Sequence, residues 1–365
     1  MPYLLEDETR AMIASLDATM PTDKASVRAV LQTRKLEVLL AQRESLKKHQ
    51  SRALNLMKRV DYSDIDPVLV HVSDKDLPLW KYLRIAISSA PFLGRPGRSN
   101  FMFCIDKNTN GMLGVLEIGS DMQSLGVRDR YINWSQDRKY SGGLNHIGNV
   151  GTCVATTPFG QLLGGKFMIV AATSDTIQDV WQHKYGEHLA AVIVTSLYGK
   201  SSTYNRLKEF KYLGNTPGQG TAHVSQAQTK LLKRFVHEND LRTRSGGHGL
   251  PMDNKNDLLE RACAVLKIDR STIEAHQPRG VYFAELSPDT LPFLRGDTTQ
   301  FNAERRTQRE IADWWHERWY SKRLADYSAS AASFDFDEYR IDTQIDLCRI
   351  AAKNIGASDV NDERE

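Results

Sequence analysis

The chain has few cysteines, no long apolar run and almost no excess charge, and each shortage removes a class of protein. Its 365 residues hold four cysteines, Cys104, Cys153, Cys263 and Cys348, far apart and without a Cys-x-x-Cys pair. That spacing predicts neither a disulfide framework nor a zinc cluster, and no metal is assigned. No stretch approaches the run of about eighteen apolar residues that a membrane span requires, so no membrane partner is expected. The opening Met1-Pro-Tyr-Leu-Leu-Glu-Asp-Glu is acidic where a secretion signal is basic and then apolar. A cytoplasmic protein is expected, in a host cytoplasm if a phage encodes it. The formal charge of +3 is too small to mark a nucleic-acid binder by itself.

What is present is ordinary in amount and uneven in placement. A hydrophobic content of 41% is that of a globular chain, and the length suits one large domain with appendages or two modest ones. Between Lys24 and Arg59 ten Lys/Arg stand against two Glu, with Val27, Leu31, Val38, Leu39, Leu46, Leu54 and Met57 interspersed. Asp23 is a candidate cap, and the lack of Gly or Pro predicts one long helix. It reads either as a solvated helix packed on its apolar stripe or as a basic arm that follows a phosphate backbone.

From Val68 to about Thr221 strands and helices alternate. Val68–Val72 is a strand, and Asp76 opens a helix to Ile87 with Pro78 in its first turn and Trp80 on its surface. Phe101–Ile105 and Met112–Ile118 are strands around Asp106-Lys-Asn-Thr-Asn-Gly111. The loop fits an EF-hand pattern through Asp106, Asn108, Asn110, Gly111 and Glu117, but its flanks have strand spacing and Asn-Gly predicts a hairpin. A strand over Val150–Thr156, a loop entering a helix within Pro158–Ala172, a helix over Ser174–Gly186 and a strand over Ala190–Ser196 follow. Then come a short helix carrying Tyr204 and Asn205, and a strand ending in a glycine-rich loop.

The fold class expected is α/β (α+β), a mixed sheet flanked by helices. Ser245-Gly-Gly-His-Gly249 with Pro251 reads as a flexible connection. Helices near Lys255–Leu266, Ala303–Ala325 and Tyr339–Ile355 and a strand at Gly280–Leu286 complete the chain. The division expected is a helical basic arm over 1–62, a core over 63–225, an extension completing the core over 226–300, and a helical C-terminal region with a frayed acidic tail over 301–365.

Two aromatic and cationic segments are candidates for nucleic-acid contact. In Arg128-Asp-Arg-Tyr-Ile-Asn-Trp134-Ser-Gln-Asp-Arg138, Arg128, Arg130 and Arg138 suit phosphates and Trp134 suits a base extruded from the stack. Asp129 suits orienting an amine or taking its proton, with His146 as a second base. The alternative is a structural ion pair beside a half-buried tryptophan. In Arg305–Arg323, Ile311, Trp315 and Trp319 share a helical face flanked by cations, among them Arg318. That pattern fits either stacking plus phosphate contact or a helix docked on its tryptophans.

The segments Arg128–Ser135, Asn149–Ile169, Ala190–Thr221 and Gly280–Leu286 occur in an order that resembles the DruA-like domain family, named after the Druantia phage-defence system, across roughly residues 75–295. The Tyr204 segment also resembles the end of Mom-type DNA-modification proteins, relatives of the GNAT acyltransferases. The resemblance implies a GNAT-like core in which Tyr204 stands near the leaving thiolate of an acyl-coenzyme A and donates a proton or hydrogen bond to it. Asn205 would orient the tyrosine or the substrate. Gln161-Leu-Leu-Gly164-Gly165-Lys166 occupies the place of the coenzyme A loop but has its second glycine one position early. Backbone N–H groups at a helix start, aided by Lys166, would then hold a pyrophosphate. Acetyl-coenzyme A or another activated donor is the cofactor implied.

The function so implied is transfer of an acyl or amino-acid-derived group to a base in DNA, in phage DNA hypermodification or phage-host conflict. Two alternatives stand beside it: a non-catalytic DNA-binding protein of a defence system or virion, and an acetyltransferase acting on a small amine or a protein.

Overall fold

The computed structural model describes residues 3–16, 24–92, 94, 97–197, 199–216, 219–221, 224, 226–241, 255–269, 274–276, 278–327 and 334–354. Asp23, the Ser245–Pro251 connection and the acidic tail lie outside the described residues. The helices are α1 (Glu6–Ala14), α2 (Lys24–Lys58), α3 (Leu77–Ile87), α4 (Gly126–Ile132), α5 (Gln136–Tyr140), α6 (Thr157–Gln161), α7 (Gly164–Ala171), α8 (Asp175–Tyr185), α9 (Gln226–Glu238), α10 (Lys255–Leu266), α11 (Thr290–Arg295), α12 (Gln308–Trp315), α13 (Ser321–Tyr327) and α14 (Ile341–Asn354). The strands are β1 (Pro67–His71), β2 (Ser99–Asp106), β3 (Gly111–Ser120), β4 (Ile147–Ala155), β5 (Ala191–Ser196), β6 (Lys211–Asn215), β7 (Gln219–Thr221), β8 (Glu274–His276) and β9 (Gly280–Glu285).

These elements form two compact units. The smaller combines Met1–Thr22 with Thr216–Arg279, and the larger combines Asp23–Asn215 with Gly280–Glu365. In the smaller unit α1, α9 and α10 close a core around Met12, Leu232, Phe235 and Leu259, and β7 pairs antiparallel with β8. Helix α9 was not anticipated, although Leu231, Leu232, Phe235 and Val236 recur along it at helical spacing.

The larger unit is built on a mixed sheet of order β1-β2-β3-β4-β5-β9-β6. All neighbours are antiparallel except β4 and β5, which run parallel. Successive residues of a strand point to opposite faces, and β2 sorts its side chains accordingly. Met102 and Cys104 enter one core with Phe167 and Ile169 of α7, Trp181 of α8 and Trp315 of α12. Phe101, Phe103 and Ile105 pack against the other, built on α2, α3 and α14. The β2–β3 connection is the expected hairpin, its turn held by the buried Asp106 carboxylate, which accepts from the backbone N–H of Asp66 and Thr109.

Helix α2 follows the predicted span, but it is no free arm. Leu39, Leu46, Leu54 and Met57 are buried, each fully buried apolar side chain contributing about 1.5–3 kcal/mol. Its cations are also engaged: Lys35 donates to Ser88 O and Gln344, Arg43 and Lys47 meet Asp342, and Arg52 meets Asp76. Trp80 is likewise corrected from surface to core. It is 0% exposed, donates to Met102 O at 3.1 Å and meets Phe92 and Phe101 edge-on. The single helix expected over Ala303–Ala325 starts late, at the capping box formed by Thr307 and Glu310, and is interrupted by a π-turn at His316–Tyr320.

Candidate functional site

The site begins where β4 leaves β5. The two strands pair from Ile147↔Ala191 to Val150↔Val194 and no further. At that point the β3–β4 register passes from Ile118↔Val150 to Glu117↔Thr152, leaving Gly151 unmatched. An extra residue of this kind bends the strand and increases its twist. Beyond it β4 stays paired with β3 as far as Ala155↔Gly114, while its other edge has no strand partner among the described residues. Cys153, Val154 and Ala155 from this parted stretch line a cleft of about 640 Å³, closed by Gly165 and Lys166 of α7, Ser202, Thr203, Asn205 and Arg206 after β5, and Trp319.

Two expectations about this cleft need correction. Residues 202–206 form a turn and not a helix. Arg206 sits at φ +65° within it, a conformation that costs an L residue and therefore needs external support. Lys166 supplies the support: its ammonium donates to Ser202 O, Thr203 O and Asn205 O, each at 2.9 Å. It also lies 5.1 Å from the Trp319 ring centre. Only 6% exposed, it has its pKa lowered to about 8 by burial, with Arg206 and Arg318 acting in the same direction. Three carbonyls thus already engage the group assigned to a pyrophosphate.

Tyr204 turns its ring onto Tyr282, centre to centre at 4.6 Å, and packs against the sheet core. Burial above all, then Cys153 and Tyr282, pushes its phenol far above the usual tyrosine range, so it remains a proton carrier at any ordinary pH. It lies behind the cleft wall that its chain neighbours form. Asn205 lines the cleft itself.

The loop residues divide in the same way. Gly165 lines the cleft, and as the second residue of α7 its N–H has no partner within the helix. Gly164 serves packing: a Cβ there would fall 2.4 Å from the Phe159 ring. Gln161 ends α6, exposed and outside the cleft lining.

The remaining candidates stand elsewhere. Arg128 is fully buried and bridges Asp121 and Asp129, so it cannot reach a phosphate. Asp129 also receives Lys139 at 2.9 Å, which leaves it no free role as a base. Trp134 and Arg138 both donate to Leu294 O, and Arg138 also to Phe293 O, anchoring the end of α11. Arg130 is exposed. His146, hydrogen-bonded to His188 O, precedes β4 while Cys153–Ala155 end it, a separation on the order of 20 Å at about 3.3 Å per residue. Burial lowers its pKa below the ordinary 6.5. His146 therefore stands most of a strand's length from the cleft, and Asp129 is held in its own ion cluster.

Trp319 lines the cleft and Arg318 lies beside it. With Arg206, Lys322, Arg323 and Leu163 they line an adjoining depression of about 390 Å³. Sequence reasoning did not single out Arg206, Lys322, Arg323 or Cys153. The signals were the unmatched Gly151 and the basic run from Arg318 to Arg323, whose facing direction depends on the π-turn. Among the described residues no group of three or more His, Cys, Asp or Glu could hold a metal ion.

No solved structure matches the chain. It is 28% identical over 169 residues to the Druantia protein DruA of Escherichia coli (strain UMEA 4076-1), an overlap covering 42% of each chain. The match therefore spans less than half the length of that curated relative. The family model described as Druantia protein DruA matches residues 22–296, well over half of the chain and both walls of the parted β4–β5 cleft. The chain belongs to the DruA family.

Proposed function

We propose that this chain is a group transferase with a GNAT-like core, acting on a base in DNA within a Druantia-type phage-defence setting. The observation that carries the reading is the parting of β4 from β5 over a cleft whose far wall is the Tyr204 turn. An exposed strand edge offers unpaired backbone groups to an extended, amide-bearing donor arm. The N-terminus of α7, with Gly165 at the cleft, suits the anionic end of such a donor. The fit to an acyl-coenzyme A is thus through the strand edge and the helix start, with Lys166 holding the wall. When bound, such a donor supplies an activated acyl carbon. Tyr204 would supply the proton that the leaving sulfur needs and take back the one that the acceptor nitrogen gives up.

A specific observation favours a second reading, that of a DNA-binding protein without catalysis. No carboxylate or imidazole lines the cleft among the described residues, so nothing there is an obvious general base. Tyr204→Phe separates the readings. Mass analysis of nucleosides from DNA incubated with acetyl-coenzyme A and each form of the protein should show a new mass for the wild type alone, with DNA binding equal. Equal product from both forms removes Tyr204 from the chemistry, and product from neither supports the binder.

A further inference from the structure

Beside the cleft, cations gather with no acid to meet them. Arg206, Arg318, Lys322 and Arg323 share one depression with Trp319 and Leu163, and none forms an ion pair among the described residues. The nearby arginines behave differently: Arg305 pairs with Asp179, Arg306 with Glu209 and Arg309 with Asp66 and Asp313. Arg206, Lys322 and Arg323 are exposed, while Arg318 and Trp319 belong to the π-turn, a distortion frequent at functional sites. Holding like charges together raises the energy of the free protein, and an anion laid across them lowers it.

The form of the site distinguishes among anions. An enclosed phosphate pocket closes around one group, whereas this one is an open row. Arg318 and Lys322 are four residues apart, about 6 Å along a helix axis, and Arg206 stands across from them. An aromatic ring among spaced, exposed cations suits a polymer of phosphates running over the surface. Arg318, Lys322 and Arg323 also lie beyond residues 22–296 that the family model matches.

We propose that Arg206, Arg318, Lys322 and Arg323 form a track for the phosphodiester backbone of DNA, which sets the nucleic acid against the mouth of the β4–β5 cleft. This rests on the proposed function only for its choice of acceptor, because binding requires no transfer.

The test is fluorescence anisotropy with a short labelled duplex over roughly 50 to 200 mM salt. It compares the wild type, the triple variant Arg318→Gln, Lys322→Gln, Arg323→Gln, and a charge-matched control with the exposed Lys75, Lys81 and Lys107 changed to Gln. Circular dichroism establishes that each form is folded. The triple variant should bind at least tenfold more weakly, with a salt slope shallower by about 2.7, at about 0.9 per phosphate contact. The control should stay within twofold of the wild type.

Equal loss in the triple variant and the control overturns the track, as does absence of duplex binding by the wild type. It is also overturned if inorganic pyrophosphate stabilises the wild type but not the triple variant while duplex binds both alike, since the site then serves a small phosphate group. Lost binding with no new nucleoside mass in any sample upholds the track and removes the transferase. Unchanged binding with a new nucleoside mass does the reverse.

Discussion

Lys166 holds the cleft wall, and replacing it with methionine tests that role directly. The substitution keeps an unbranched stem beside Trp319 and deletes the ammonium that donates to Ser202 O, Thr203 O and Asn205 O. A hydrogen bond to a charged group is worth about 1.5–3 kcal/mol. The three bonds here share one charge, and burial disfavours that charge, as the pKa of about 8 records. A net loss of about 2–3 kcal/mol is expected, because water reaching the open cleft will satisfy part of what the carbonyls lose. For a unit of this size 1 kcal/mol corresponds to about 2–4 °C, so Tm should fall by about 5–10 °C in calorimetry.

Amide exchange should rise in residues 201–207 and stay unchanged in the β2–β3 hairpin. A pH signature accompanies it. Between pH 8 and 10.5 the folded protein releases the Lys166 proton while the unfolded chain retains it, so wild-type stability gains an increment as pH rises through that window. Lys166→Met should lack that increment. A Tm within about 1 °C of the wild type, together with unaltered exchange in the turn, refutes the clamp.

Three further outcomes follow from the same structure. Arg128→Ala leaves the Asp121 carboxylate buried without its partner and should cost about 3–5 kcal/mol in urea unfolding; the folded fraction should bind DNA as tightly as before, and weaker binding per folded molecule would restore Arg128 to the DNA contacts. Trp80→Ala should cost about 3–5 kcal/mol through loss of its packing on Phe92 and Phe101, and a loss under about 1 kcal/mol contradicts its place in the core. His146→Gln should leave any transfer rate within about twofold, since the residue stands at the other end of β4. It should also remove an acid sensitivity: below the ordinary pKa of 6.5 the unfolded chain takes up a proton that the folded imidazole resists, so wild-type stability declines as pH falls there.

Much of the fold was legible because its signals are local. Asn110-Gly111 between alternating apolar runs gave the hairpin, Gly186 closed α8 with a left-handed φ of +70°, and an unbroken run without Gly or Pro gave α2. The errors arose where a residue type permits two environments. Trp80 and Trp134 are amphipathic, and only the third dimension decides whether the indole N–H faces water or a carbonyl, here Met102 O and Leu294 O. The Arg128 segment misled for a related reason, since arginine beside aspartate reads the same whether the pair is solvated or enclosed.

By itself the sequence determined the mixed α/β class, most of the succession of strands and helices along the chain, and the family resemblance, because periodicity, turn residues and motif order are carried by neighbours along the chain. Tertiary structure alone decided which candidates share a site. His146 went to one end of β4 and the Tyr204 turn to the other, while Asp129 went to an ion cluster with Arg128 and Lys139. Gly151 opened the cleft by releasing β4 from β5, and the π-turn brought Arg318 and Trp319 beside Arg206, more than a hundred positions earlier in the chain. Those outcomes depend on strand register and helix phase, and one residue more or less in a strand or a turn redirects every side chain that follows.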